Sequence, residues 1–512
     1  MVACSGSIGA GEGQATNETF VIGITSTPST LNPALSSAAD TSLVGDQVFD
    51  GLVRIDREGI AQPMLATEWD LSKDGLTLHM LLRDEATFHD GEPVTANDVK
   101  YSLEQAAPVG AYGAWIKGVL DEVEVVSDHE LNIRLQKPFA PLLNALARER
   151  VPVLPSHLYE GTDVTANEYN MKPVGSGPYK FDSIGNDGTI TLVANDDYWG
   201  EVGAVKTIIL RTIPDPTVLV QSLQRGEVDF VSAFYLPNQE VEQLQSNANV
   251  HVEEGRIFPT YTYLAYNVEN GPLQSPEVRR AIYKAIDRDY VNKTAFMGLS
   301  KPAQSFIPSV YSWAQQDQVP FAEELAYDLD EAAELLDEAG YPEDGKGKRF
   351  TVRFLYSPDL NPTIATVADA IKANLAEVGI TLDVQTTDAA NYITQVYTDR
   401  NYDMTAVRLN TGGDPSLGIS RVYVCNEEKA AYRNASAFCD PDVDAGWAAV
   451  AGTNGDGRGD AAQQVQLELL DTLPSVPLIE EVTYDGVSSR FDNLEEYFDA
   501  FEYFTPRVNL LQ

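Results

Sequence analysis

A chain of 512 residues, 43% of them hydrophobic and 22% charged, has enough material for a large core, divided at about 150 residues per domain into roughly two to four lobes. Its formal charge of −42 is spread along the whole length with no basic cluster, which excludes a nucleic acid as a partner, because phosphate backbones repel such a surface. No run reaches the about 18 apolar residues that a membrane-spanning helix needs.

The fold is expected to begin near Phe20. Phe20, Ile22 and Ile24 alternate as in a strand, which runs into a polar loop punctuated by Pro28 and Pro33. Residues 76–83 read as a second strand. Thr95, with Asp98 three positions on, is a capping box opening a helix whose Val99 and Leu103 share a face. Val123 and Val125, then Leu131, Ile133 and Leu135, alternate on either side of a polar turn, which predicts a hairpin.

The second half changes texture. Ser275-Pro276-Glu277 combines an N-cap, a proline at the first helical position and an acid in the first turn. A helix from Asp328 is stopped by Gly340 and Pro342, and another, carrying Ile364 to Val378, stops at Gly379. Strands follow at Ile380 to Val384 and near Met404 to Val407. Helix and strand in alternation indicate an α/β lobe with an open sheet.

Three cysteines are present. Cys425 and Cys439 lie in a stretch that looks irregular; a disulfide restraining a surface loop and two reduced buried thiols are both open, with the disulfide preferred. Cys4, in Val2-Ala3-Cys4, is similar to the end of a bacterial lipobox, and residues 5–16 form a Gly/Ser/Ala tether of the kind that separates a lipid anchor from a folded domain.

Motifs for chemistry fail on inspection. The run from Gly340 to Lys346 lacks the Ser or Thr of a phosphate loop, since Gly347 follows, and it lies between a helix and a strand in the wrong order. In the acidic loop 454–460, Arg458 stands where a calcium ligand is needed and Val465 holds the twelfth position. Gly175-Ser176-Gly177-Pro178 lacks the spacing of a nucleophile elbow. The histidines, His79, His89, His129, His157 and His251, have no ligand spacing, so neither a metal nor a cofactor is expected, and the chain does not read as an enzyme.

A set of phrases runs through residues 20–512 in order. It includes Asn32-Pro33, Val48-Phe49-Asp50-Gly51-Leu52-Val53, Pro63 to Trp69 and Phe88-His89-Asp90-Gly91 through Val99. Val174-Gly175-Ser176-Gly177-Pro178-Tyr179, Tyr198-Trp199-Gly200, Gly226 to Asp229, Tyr263 to Asn267, Pro276 to Asp287 and Phe438 to Asp444 continue it. Together they resemble the family 5 extracellular solute-binding proteins, which include dipeptide, oligopeptide, nickel and some oligosaccharide receptors.

The resemblance implies a periplasmic-binding-protein-like fold of the class II, cluster C type: two α/β lobes joined by a hinge, closing on ligand like a flytrap. The expected division is a tether at 1–16, lobe I at 17–261 with an extra subdomain at about 56–173, lobe II at 262–475, and a return to lobe I at 476–512. It also implies an extracytoplasmic monomer, lipid-anchored at Cys4, serving the permease and ATPase subunits of an ABC importer. Relatives carry a disulfide near Phe438-Cys439-Asp440-Pro441, which supports Cys425–Cys439.

For the ligand, the resemblance points to the Ser26–Thr27–Pro28 loop, the aromatics Tyr112, Trp115, Tyr235 and Tyr261, and the segment with Arg408, Asn410, Thr411 and Asp414. Dipeptide receptors hold the peptide ammonium with an aspartate just before a Gly-Asp-Pro. Aligned on Gly413-Asp414-Pro415, Thr411 replaces that aspartate and Arg408 a tryptophan; a gap of two residues would restore Asp414 as the anchor. No arginine for the peptide carboxylate stands near Pro358 to Pro362, and a buried charge left unpaired costs several kcal/mol. A standard dipeptide is therefore disfavoured, and oligopeptide, peptide-like, anionic and sugar-containing solutes all fit. Arg408 has two readings, a guanidinium facing the ligand or an ion pair between strands. Two rival functions are a secreted hydrolase on the same lobes and a sensory or chaperone-like receptor not coupled to transport.

Overall fold

The computed structural model describes residues 18–491 apart from 57–58, 112, 202, 256–259, 315–318 and 456, and not the side chains of Ala114 and Trp115. Cys4 and the tether at 1–16 lie outside the described residues. Among the described residues the strands form a seven-stranded, a six-stranded and a four-stranded sheet and a two-stranded ribbon.

The seven-stranded sheet runs Val250–Glu254, Tyr484–Ser488, Phe230–Val231, Thr19–Ile24, Thr207–Thr212, Ile190–Ala194 and Tyr179–Ile184. Thr19–Ile24 pairs in parallel with both its neighbours. Not only Phe20, Ile22 and Ile24 but also Val21 is buried, as expected of a central strand with both faces covered.

The six-stranded sheet runs Lys301–Pro302, Ser475–Glu481, Thr260–Tyr266, Met404–Asn410, Thr351–Tyr356 and Thr381–Thr386. The helices Pro276–Lys284, Leu329–Glu338 and Thr363–Glu377 belong to this lobe. Ser275 accepts the Val278 N–H at 3.3 Å, and the Asp328 carboxylate accepts that of Glu331 at 2.9 Å, so the cap residues start the first two helices as their chemistry dictates.

The four-stranded sheet, Ala66–Leu71, Thr77–Leu82, Glu130–Leu135 and Leu120–Ser127, is antiparallel and has its own core of Leu78, Met80, Val123, Leu131 and Ile133. Beside it, Asp98 accepts both the backbone N–H and the hydroxyl of Thr95, at 2.9 and 2.8 Å, closing the first turn of the helix Ala96–Tyr101.

The chain leaves the seven-stranded sheet after Glu254 and enters the six-stranded one at Thr260; it returns between Glu481 and Tyr484. This corrects two expected boundaries. Tyr261 belongs to the second lobe, and so does the segment 476–481, because Ser475–Glu481 lies antiparallel against Thr260–Tyr266. The return therefore comes about six residues later than the sequence suggested, and two neighbouring crossings make the hinge.

The lobes also meet away from the hinge. Ala140 N–H donates to the Ala451 carbonyl at 2.7 Å, and Leu417 of the second lobe packs against the core of the four-stranded subdomain.

Candidate ligand-binding cavity

Between these contacts the facing lobes line a partly open cavity of about 1090 Å³. The first lobe and its subdomain line it with Ser37, Lys137, Phe139, Arg150 and Phe234, and the second lobe with Thr260, Arg408, Asn410, Arg421, Tyr432 and Arg433. Phe234 is 57% exposed and Tyr432 45%, so each lobe offers one aromatic surface.

Arg408 makes an ion pair and also lies on the cavity lining. It lines the cavity from the strand Met404–Asn410, opposite Thr262, and its Nε donates to Glu481 Oε2 at 2.7 Å. The other oxygen of Glu481 accepts the Thr262 hydroxyl at 2.7 Å. Glu481 is the last residue before the chain crosses back to the first lobe, so the ion pair ties the cavity wall to the hinge.

The loop after Arg408 is folded tightly. Asn410 lines the cavity, and its side-chain oxygen accepts the Gly412 N–H at 2.7 Å. Gly412 has φ +72°, and a Cβ on Gly418 would lie 1.8 Å from the Thr411 carbonyl oxygen, so both positions need glycine. Thr411 is buried beneath Tyr311, hydroxyl to hydroxyl at 3.4 Å, and does not line the cavity.

Asp414 is likewise withdrawn. Its Oδ1 accepts the Ser416 N–H at 2.9 Å, and both its oxygens lie 2.8 Å from Arg458 Nη2, whose guanidinium sits over the Trp313 ring at 4.2 Å. Asp414, the anchor if a gap of two residues is allowed, is therefore held in a buried ion pair. Arg458, which spoiled the calcium-loop pattern, is its partner.

The aromatic expectations divide. Tyr261 is fully buried, with its hydroxyl 3.2 Å from the Ser305 carbonyl and 3.3 Å from Glu480, either of which can accept its proton, so it belongs to the core and not to the cavity. Tyr235 is buried with its ring edge-on to Phe234 at 5.3 Å; the exposed ring is the one before it. Tyr112 lies outside the described residues, and the short helix Gly113–Lys117 that carries Trp115 runs between the cavity-lining Ala111 and Gly118. The Ser26–Thr27–Pro28 loop does not line the cavity: Ser26 donates to Asp40 at 2.7 Å, Thr27 meets Thr212 at 3.2 Å, and Pro28 is buried.

Sequence reasoning missed Lys137, Arg150, Phe234, Arg421, Tyr432 and Arg433. The last two lie in the irregular stretch between Cys425 and Cys439, which are joined in a disulfide with Cα atoms 4.6 Å apart. A cation and an aromatic inside a stapled loop were the available signal.

Several of the recognisable phrases converge elsewhere, on the buried Asp50. Its carboxylate accepts the Ser176 hydroxyl at 3.1 Å, Trp199 Nε1–H at 2.9 Å and the Tyr198 hydroxyl at 3.3 Å. Arg83 stacks over Trp199 at 3.6 Å. Burial pushes the Asp50 carboxyl up to about 6, against the pull of the Trp199 hydrogen bond and Arg148. His89 accepts the Gly175 N–H on Nδ1 at 3.2 Å and faces the Gly177 carbonyl with Nε2 at 3.0 Å, which sets a neutral ring protonated on Nε2; burial pushes it down to about 4.

The sequence profile of the bacterial extracellular solute-binding proteins, family 5 middle, matches residues 61–429. A putative ABC transporter peptide-binding protein of Brucella ovis is 31% identical over 399 residues, covering 75% of this chain and 72% of its own length. The chain belongs to the family 5 bacterial extracellular solute-binding proteins.

The glutathione-binding protein GsiB of Pectobacterium atrosepticum is 29% identical over 435 residues, covering 83% of this chain and 81% of its own. The substrate-binding protein CtaP of an ABC transporter from Listeria monocytogenes superposes with a TM-score of 0.83 at 24% identity, covering 96% of this chain and 99% of its own. The fold is thus the two-lobed α/β fold of family 5 receptors, and the protein is a solute-binding protein of the ABC-importer type. Among its described residues, this family 5 protein has no helix long and apolar enough to cross a membrane. The described lining of its cavity contains no His, Cys, Asp or Glu.

Proposed function

We propose that this protein captures a small polar, peptide-like solute in the cavity between its lobes, closes on it about the two chain crossings that follow Glu254 and Glu481, and delivers it to a permease driven by an ATPase. The observation that carries the reading is a cavity walled by both lobes and sized for a drug-like or short-peptide ligand. Contacts from both walls bias the closed state, because only they distinguish it from the open one. The peptide- and glutathione-binding names of its relatives support a peptide-like solute. The protein acts as a monomer outside the cytoplasm, held to the membrane by lipid on Cys4, and does not turn its ligand over.

The ligand-facing residues in this reading are Arg408, Asn410, Arg421 and Arg433 for polar groups and Phe234 and Tyr432 for apolar ones. A thermal-shift screen against peptides, sugars, opines, amino-acid derivatives and metal ions tests it. A bound solute at a hundredfold excess over Kd adds about 2.7 kcal/mol of stability, seen as a rise of a few degrees. At least one class of small solute is expected to give that rise; turnover of a solute in the same panel would replace the receptor with the hydrolase.

A further inference from the structure

Over the whole chain, acids outnumber cations by 77 Asp and Glu to 35 Lys and Arg. Along the cavity the balance is reversed. Its charged described residues are Lys137, Arg150, Arg408, Arg421 and Arg433, with no carboxylate among them.

Their environments differ in a way that bears on the ligand. Arg150 and Arg421 are tied to the backbone, at 3.1 Å to the Asn144 carbonyl and 3.0 Å to the Asn410 carbonyl. Arg408 has Glu481. Lys137 and Arg433 are exposed and make no hydrogen bond or ion pair among the described residues. Like charges gathered in a concave, partly desolvated space repel one another, and low-dielectric walls focus their field. That arrangement attracts an anion.

The cations also stand on both walls, Lys137 and Arg150 on the subdomain side, the other three on the second lobe. A ligand with one anionic group would neutralise one wall. A ligand with two or more would bridge both, and would gain its full electrostatic energy only when the lobes are together.

We propose that the ligand is an organic polyanion carrying at least two carboxylates, held between Lys137 and Arg150 on one lobe and Arg408, Arg421 and Arg433 on the other, with its apolar part against Phe234 and Tyr432. This rests on the receptor reading and names its substrate class. Guanidinium groups suit it, since each receives a carboxylate through two parallel N–H donors. A zwitterionic dipeptide fits poorly, because its ammonium offsets its one carboxylate and leaves no net negative charge for the cationic lining, whereas a polyanion keeps one.

The test is calorimetric titration of the full chain with triglutamate, triglutamine, trilysine and tricarballylate at low and high salt, repeated on the double variant Lys137→Glu/Arg433→Glu. Both positions are exposed, so the variant is expected to keep the wild-type melting temperature. Triglutamate is expected to bind at least about tenfold tighter than triglutamine, to weaken as salt screens the charges, and to lose at least about tenfold in the variant; trilysine is expected not to bind. Triglutamine or trilysine binding as well as triglutamate would overturn the polyanion and leave the receptor standing. Equal binding of triglutamate by variant and wild type would overturn the site. Silence from both triglutamate and tricarballylate, with a hit elsewhere in the solute screen, would also sink the polyanion alone, whereas a screen without any hit would count against the receptor itself.

Discussion

Asp50 and Arg433 are both charged groups of one chain, and they live under opposite conditions. Around Asp50 a buried acid is matched donor for donor by Ser176, Tyr198 and Trp199. Arg433 stands exposed at the edge of the cavity with no partner among the described residues. The first arrangement is complete without a ligand and therefore fixes the scaffold; the second leaves a charge open to one, as the proposed function requires. A family can share the first while its members differ in the second.

The largest expected effect breaks the scaffold side. Asp50→Ala leaves three buried or half-buried donors without their acceptor and is expected to cost about 3–5 kcal/mol, measured by denaturant unfolding. Asp414→Ala strands the Arg458 guanidinium and is expected to cost about 3 kcal/mol. A ligand anchor at Asp414 would instead show as lost affinity with little change in stability, so this variant also decides between the two roles.

The disulfide tests where the scaffold gives way to the cavity wall. Removing it as Cys425→Ser/Cys439→Ser opens a loop closed over a separation of 14 residues and is expected to cost up to about 3 kcal/mol. Because that loop carries Tyr432 and Arg433, affinity for the solute is expected to fall as well. A fall in melting temperature at constant Kd would mean that the loop does not position them.

A smaller effect comes from pH. Asp485, fully buried, holds the Ala233 N–H at 2.5 Å next to the cavity residue Phe234, and burial pushes its carboxyl up to about 7. A raised carboxyl contributes stability that is present below its unfolded value near 4 and is lost as pH rises through 7; Asp50, at about 6, acts in the same sense. His89, held near 4, acts oppositely, its contribution being lost as pH falls from the unfolded value near 6.5 through 4. In Asp485→Asn one of these slopes is removed. The stability of wild type relative to this variant is expected to fall between pH 4 and 7 by up to about 1.4 kcal/mol per unit. A pH-independent difference would show that Asp485 titrates normally.

Sequence reading reached the scaffold more fully than the cavity, for physical reasons. Helix caps at Ser275 and Asp328, the hairpin around 128–129 and the order of α and β elements are local and were legible. The face of Thr260–Tyr266 was not: all seven residues are buried, so no alternation tells which side of the strand meets the core, and Tyr261 was read towards the ligand. Tyr235 was one residue from the exposed Phe234 because both rings suit either place. Arg408 and Asn410 were found through the family register, while Thr411 and Asp414 beside them turn inward through the glycine-built loop that the register does not describe. Lys137 and Arg150 come from a subdomain far away in sequence, and only the packing of the two lobes brings them to the same cavity.

One paired measurement tests the division between scaffold and wall most directly: melting temperature and Kd for the tightest solute of the screen, on Trp199→Phe and Arg433→Ala side by side. Trp199→Phe is expected to lower the melting temperature by several degrees and leave Kd within about twofold of wild type, because it removes a half-buried donor that is not on the cavity lining. Arg433→Ala is expected to leave the melting temperature unchanged and raise Kd about tenfold. An Arg433→Ala protein that binds as well as wild type, or a Trp199→Phe protein that loses affinity without losing stability, would contradict the account.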